Sequence, residues 1–194
     1  MTATAQILTV CTGNVCRSPF LERALQAELD GSWGTGSVRV SSAGTGALAG
    51  HGMDARAQVC LAGAGYAAEG FVARQLTASM VAESDLVLTA TRAHRADVAR
   101  LHPRALRYVF SFREFAELVA GVPGDQLYAG TGSAREQVVR AVGLALAQRG
   151  MRPPLSDLDA DVVDPFRRSD EVFDEMSRQI MGSLPSVARA LGRA

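Results

Sequence analysis

Ile7-Leu8-Thr9-Val10-Cys11-Thr12-Gly13-Asn14-Val15-Cys16-Arg17-Ser18-Pro19 decides the fold of this chain. An apolar run with the length of a buried strand leads into a short glycine-containing loop, and Ser18-Pro19 opens a helical stretch rich in Leu, Ala and Glu. That order lays the loop over a helix amino terminus, where unpaired N–H groups point outward and favour an anion. Gly13 removes a side chain where the backbone must approach closely, and Asn14 tolerates positive φ. Successive N–H groups then converge on one centre, and a dianionic phosphate group is the expected occupant. Arg17, planar and permanently charged, is suited to grip two phosphoryl oxygens and to carry the charge of the transition state.

Cys11 sits at the base of this loop. A thiol with a pKa of ~8.5 is mostly protonated at neutral pH, so a nucleophilic role needs the positive field of Arg17 and the helix terminus. Ser18 is placed to donate a hydrogen bond to the thiolate. Thr12, Gly13, Asn14, Val15, Cys16, Arg17 and Ser18 are therefore the expected phosphate-binding residues, with Cys11 attacking in line. The leaving oxygen must be protonated and water later activated, which calls for a carboxyl group facing the loop. Asp157, Asp159, Asp161 and Asp164 cluster late in the chain. Only Asp164 precedes a proline, Pro165, which biases it toward the extended conformation of a projecting loop.

Outward from the loop, strand-like runs recur near Gln6 to Val10, Val38 to Ser42, Asp85 to Thr89 and Leu106 to Phe110. Helical stretches separate them, which predicts an α/β fold: an open parallel four-stranded sheet with helices on both faces. Pro19 to Leu29, with Phe20, Leu21, Ala24, Leu25 and Leu29 on one face, is the first crossover helix; Asp54 to Ala62 and Arg92 to Leu101 are the others. Right-handed crossovers place the cysteine loop at the carboxyl edge of the sheet. The 194 residues suit a single domain, 1–194, with a helical insertion at about 113–160. Within the insertion, Phe112 to Val119 and Ala134 to Gln148 read as helices, the second with Val138, Val139, Val142, Leu144 and Leu146 on its apolar face. A final helix, Ser169 to Leu191, is expected to bury Val172, Phe173, Met176, Ile180 and Leu184 and to be interrupted by Pro185.

Composition narrows the chemistry. The formal charge is zero, which gives no basic surface for nucleic acid. All 20 cationic side chains are arginine, excluding a lysine-bearing Walker loop and a lysine Schiff base. No apolar stretch reaches ~18 residues and Met1 to Gln6 lack a leader pattern, so no membrane is expected and the cytoplasm is the expected location. Cys11, Cys16 and Cys60 form no disulfide framework, and His51, His94 and His102 make no paired spacing with them, so neither metal nor cofactor is expected. Gly63-Ala64-Gly65-Tyr66-Ala67-Ala68 matches a loose dinucleotide fingerprint, but what precedes it reads as a helix ending at Gly63, not a strand.

Cys-x-Gly-Asn-x-Cys-Arg-Ser-Pro, complete from Cys11 to Pro19, resembles the signature of the low-molecular-weight protein tyrosine phosphatases. The resemblance covers roughly residues 6–112 and 162–185. It implies a flavodoxin-like three-layer sandwich and hydrolysis of phosphomonoesters through a phosphocysteine intermediate. Substrates would be phosphorylated proteins or small aryl phosphates, with inorganic phosphate as product. It also implies Asp164, in Asp164-Pro165, as general acid and then base. Ser42-Ala43-Gly44-Thr45 looks like the family's segment after the second strand, with Ser42 bracing Asn14. Asp54 and Arg56 fall where the family carries Asp-x-Arg, and oxidation joining Cys11 to Cys16 is a further implication. Departures bear on the substrate. Leu48 stands in place of an aromatic wall, Phe71 aligns with a histidine that orients the loop asparagine, Thr89-Ala90-Thr91-Arg92 replaces an acidic stretch, and Phe166 replaces a tyrosine. An aromatic wall is then to be sought in Phe166, Tyr128 or Trp33. Aliphatic Val15, where the protein-arginine phosphatases of the family carry threonine, points to phosphotyrosine. The alternatives are an arsenate reductase, for which resolving cysteines after the third strand are missing, a protein-arginine phosphatase, and a catalytically weak phosphate-binding module.

Overall fold

Four buried strands form one parallel sheet in the order β2-β1-β3-β4: β1 (Ala5–Cys11), β2 (Val38–Gly44), β3 (Leu86–Thr89) and β4 (Val109–Ser111). The computed structural model describes residues 4–130, 132–151, 153 and 155–193. Alternation along the strands splits the core into two layers, as pleating requires. Ile7, Val38, Val40, Leu86, Leu88 and Phe110 face one side. There they meet α1 (Arg17–Trp33), α2 (Ala55–Gly63), α5 (Phe112–Ala120), α7 (Ala134–Gln148) and α9 (Asp170–Leu191). Leu8, Val10, Ala43, Val87 and Val109 face the other, thinner side, packed on α3 (Ala78–Ala82), α4 (Arg92–Leu101) and the 3₁₀ turn Pro103–Arg107. The expected α/β sandwich is the observed one. Two further short helices, α6 (Gly124–Tyr128) and α8 (Asp157–Ala160), complete the described elements.

Several boundaries differ from expectation. The first helix begins two residues earlier and runs four longer than Pro19 to Leu29, so Arg17 itself is helical. The fourth strand starts at Val109 instead of Leu106, because Pro103 initiates a 3₁₀ turn that leaves Leu106 57% exposed. Pro185 does not interrupt α9. Leu184 on one side and Val187, Ala190 and Leu191 on the other are all buried, and this continuous apolar stripe outweighs one lost backbone bond. On α7 the buried stripe is Ala134, Gln137, Val138, Ala141, Val142 and Ala145, whereas Val139 points to solvent at 54% exposure. Its first turn is closed by a capping box between Ser133 and Glu136. After α2, which ends at Gly63, the chain turns at Ala64 and Gly65 and forms no strand there, which removes the dinucleotide motif. Among the described residues no helix is long and apolar enough to cross a membrane.

The strand order places β1 beside β2 on one side and β3 on the other. The chain therefore leaves β1 and β3 in opposite directions, and a crevice opens at their carboxyl ends, the position where open α/β sheets hold ligands.

Candidate active site

The loop from Cys11 to Arg17 is folded by its carbonyls. Those of Cys11, Thr12 and Gly13 accept the N–H groups of Thr45, Gly46 and Leu48, at 2.9, 3.1 and 3.0 Å, and that of Val15 accepts Asp54 N–H at 2.8 Å. With these carbonyls turned outward, the trans peptides turn the amides of Thr12, Gly13, Asn14 and Cys16 inward, and none donates to a protein group among the described residues. The result is a cradle of donors over the amino terminus of α1. Asn14 takes φ +54°, as expected. Gly13 is a different matter. A Cβ there would meet only Val15 Cγ2 at 3.5 Å and Leu48 Cγ at 4.0 Å, so no protein neighbour demands glycine. The close approach lies at Gly44, where a Cβ would fall 2.3 Å from the Thr12 carbonyl oxygen. Gly44→Ala should therefore displace the loop and lower kcat/KM for an aryl phosphate by at least about tenfold, the result of an ångström-scale misplacement. Steady-state kinetics beside a thermal melt checks this.

Beneath the loop runs a chain of hydrogen bonds whose direction is set from its far end. Ser42 donates to Glu22 Oε2 at 2.5 Å, so Ser42 Oγ accepts Asn14 Nδ2 at 2.8 Å. The same amide donates to Ser18 Oγ at 2.9 Å, while Asn14 Oδ1 accepts the Arg74 N–H at 2.9 Å. Ser18 Oγ lies 3.0 Å from Cys11 Sγ, within reach to donate its hydrogen to a thiolate there. Ser42 thus occupies the bracing position expected of it. Glu22 and Arg74 were not legible as members, although the acidic position in the first turns of α1 was visible in sequence. Phe71, aligned with the family's histidine, packs half-buried against the core, with the Arg23 guanidinium 5.9 Å from its ring. The Asn14 contact it lacks is supplied by Ser42 and Arg74.

Arg17 is 5% exposed. Its Nη2 pairs with Asp164 Oδ2 at 2.9 Å, its Nη1 donates to the Val162 carbonyl at 3.4 Å, and its buried Nε has no partner among the described residues. The orphan donor belongs to the same guanidinium that the loop holds beside Cys11. Asp164 is brought into place by the loop that carries it. Val162 N–H donates to Ala90 O, Val163 N–H to Gln179, and Asp164 Oδ1 accepts Phe166 N–H at 3.2 Å. Arg56 closes the far end, donating to the Arg168 carbonyl at 2.5 Å and stacking 4.2 Å over Phe173. Asp54 caps α2 through the Arg56 N–H, so the Asp-x-Arg pair links loop and helix. The competing acids are engaged elsewhere: Asp161 Oδ1 accepts Arg92 N–H at 2.8 Å, and Asp159 accepts the Ser156 hydroxyl. The side chain of Asp157 lies outside the described residues.

A cleft of about 140 Å³ collects these groups, lined by Cys11, Thr12, Arg17, Leu48, Asp164 and Phe166. Leu48 and Phe166 form its apolar rim. Trp33 and Tyr128 do not, since their polar atoms bond the carbonyls of Leu191 and Arg189 at the end of α9. Cys11 and Cys16 are both free and buried, yet differ in surroundings. Burial first, then the charges of Asp54, Cys11 and Asp164, push the Cys16 thiol up to about 12 against the pull of Arg17. Cys16 therefore stays a thiol at neutral pH and fills space beside the nucleophile position. His94, which no motif singled out, holds Thr12 from the α4 side.

A cysteine and an arginine at the ends of this loop, with a carboxyl group paired to the arginine, share one cleft on an α/β sheet, an arrangement that suits an anionic substrate. The comparisons make the class specific. Residues 6–143 match the family model described as low molecular weight phosphotyrosine protein phosphatase, and the chain belongs to that family. Asp164 lies beyond the matched residues. The Escherichia coli K12 low molecular weight protein-tyrosine-phosphatase Etp is 40% identical over 111 residues, 57% of this chain and 71% of that protein. The probable low molecular weight protein-tyrosine-phosphatase EpsP of Ralstonia nicotianae is 34% identical over 136 residues, 70% of this chain and 90% of that protein. Among solved structures, the tyrosine phosphatase Wzb from Escherichia coli K30, in complex with sulphate, shares the fold with a TM-score of 0.69. It is 24% identical, with 98% of this chain and 100% of that chain covered. The protein is a cysteine-dependent phosphatase of the low-molecular-weight tyrosine type.

Proposed function

We propose that the substrate is phosphotyrosine on proteins and that Cys11, Arg17 and Asp164 carry the reaction. The observation that supports this most is the single cleft that holds all three beneath an apolar rim of Leu48 and Phe166. Cys11 Sγ forms a bond to phosphorus as the bond to the tyrosyl oxygen breaks, and Asp164 gives its proton to that oxygen. Arg17 and the amides of residues 12–18 hold the three equatorial oxygens, the unpartnered Arg17 Nε among the donors. Asp164, now a carboxylate, takes a proton from water, which attacks phosphorus, releases inorganic phosphate and restores the Cys11 thiolate. Ser18 stabilises the departing sulfur and Ser42 holds Asn14, hence the loop. The chain forms one domain, with the helices of 113–160 an embellishment on its edge; α7 and α5 share the core of α1 and α9, which supports this. Three free thiols are consistent with the cytoplasm.

The leaving-group preference follows from the rim. An aryl phosphate places a ring between Leu48 and Phe166, burying apolar area on both and gaining ~1 kcal/mol from the ring–ring contact with Phe166, which a phosphoseryl or phosphoarginyl chain forgoes. In the presence of a chelator, phosphotyrosine peptides should be hydrolysed at least about tenfold faster, in kcat/KM, than matched phosphoarginine or phosphoserine peptides. A reversed order would move the protein to the arginine-directed branch. Arsenate-dependent thiol oxidation without ester hydrolysis would instead make it a reductase.

A further inference from the structure

His94 lies in the first turn of α4, 6% exposed, and takes no part in the phosphoryl transfer described above. Its two ring nitrogens meet two hydroxyls. Nε2 lies 2.8 Å from Thr12 Oγ1 in the phosphate loop, and Nδ1 lies 2.7 Å from Oγ1 of Thr91, the residue that caps α4. The far end sets the polarity of this bridge. Thr91 Oγ1 accepts the His94 backbone N–H at 3.2 Å, and for its own single hydrogen Nδ1, at 2.7 Å, is the acceptor within reach among the described residues. A neutral ring that accepts at Nδ1 carries its proton on Nε2 and donates it to Thr12 Oγ1. The Thr12 hydroxyl hydrogen then has no acceptor among the described residues, and Thr12 lines the cleft above Cys11.

We propose that His94 is a positioning residue that ties the phosphate loop to the cap of α4 and aims the Thr12 hydroxyl hydrogen at a phosphoryl oxygen of the substrate. The proposal rests on the phosphatase reading of the same cleft. It adds a side-chain donor to a loop otherwise built from amides and one guanidinium. The surroundings keep the ring neutral. Burial pushes the His94 pKa below its ordinary 6.5, and the Arg17 cation on α1 pushes the same way. Asp97 on α4 and Asp164 and Asp161 on the acid loop oppose them. A second proton would turn Nδ1 into a donor and make the Thr91 hydroxyl rotate its hydrogen away, while Nε2 would still donate to Thr12. Because the pKa is depressed, the bridge is intact at pH 7 and persists as the pH falls through 6.5.

A buried histidine that served only as packing would leave phosphate affinity unchanged when a neighbouring hydroxyl is removed, so the test reads phosphate rather than stability alone. Thr12→Val, His94→Ala and the double variant of the full chain are compared for KM and kcat on an aryl phosphate. The dissociation constant of inorganic phosphate is measured by NMR titration. ¹⁵N spectra of the wild-type imidazole report the tautomer. The expected result is that KM and the phosphate constant each rise about tenfold in either single variant, with kcat falling less, and that the double variant is no worse than the poorer single. The ring is expected as the Nε2-protonated neutral tautomer at pH 7. A phosphate constant unmoved by Thr12→Val, additive losses in the double variant, or a proton on Nδ1 would each overturn the proposal. Thr12→Val and the tautomer decide it even where His94→Ala does not fold. A wild type that binds phosphate with this tautomer but hydrolyses no ester would count against the phosphatase reading and leave the bridge standing.

Discussion

Cys11→Ser should abolish turnover of aryl phosphates, lowering kcat by roughly 10⁴-fold or more, as removal of an attacking nucleophile does elsewhere. The exchange of sulfur for oxygen hardly alters shape. Cys11 is 2% exposed at the end of β1, paired in register with Gly44, and the loop is held by carbonyl contacts that do not involve the side chain. The variant should thus fold, melt close to the wild type and still bind inorganic phosphate. What it lacks is the sulfur nucleophile, because a serine hydroxyl is a far weaker acid and nucleophile than a thiol. Cys16→Ser is the internal control: with its thiol pushed up to about 12, Cys16 contributes no thiolate at pH 7. Stopped-flow or steady-state assays in the presence of a chelator check both. Substantial turnover by the Cys11 variant would refute a phosphocysteine route.

Asp164→Asn is expected to lower kcat by about 10² to 10⁴, the range for loss of a positioned general acid. The loss should grow with the basicity of the leaving oxygen. A nitrophenolate departs without help, whereas a tyrosyl oxygen needs a proton, so phosphotyrosine peptides should suffer most. The loop that carries residue 164 is fastened through Val162, Val163 and Arg56, and an asparagine oxygen can still accept the Phe166 N–H, so its course should survive the substitution although the Arg17 ion pair is lost. Equal losses on both substrates would show that Asp164 acts by charge and not by proton transfer. Asp161→Asn serves as the comparison, since its carboxylate accepts Arg92 N–H rather than facing Cys11.

Much of this was readable before any coordinates. The run Ile7 to Pro19 specifies a buried strand, a tight anion loop and a helix start by local physics alone: a short apolar run, a residue tolerant of positive φ, and a proline in the first helical turn. The Asp164-Pro165 dipeptide was equally visible. Misreadings came where packing overrides propensity. Pro185 looked like a break and Val139 like core, yet α9 runs through the first and α7 turns the second outward, because burial of each whole stripe decides register. The close approach of Gly44 to the Thr12 carbonyl was not legible at all, because it joins residues far apart in sequence.

By itself the sequence determined the reaction and the architecture that hosts it. Nucleophile, guanidinium and amide loop lie within eight residues of chain, and short apolar runs separated by helical stretches dictate the sheet. Only the tertiary structure decided how the loop is held and aimed. The Glu22-Ser42-Asn14-Ser18 chain, the carbonyl contacts from residues 45–54 and the Thr91-His94-Thr12 bridge join segments separated by up to 82 positions. Hydrogen bonds are directional and depend on distances that no local pattern encodes, so their partners emerge only once the chain is packed.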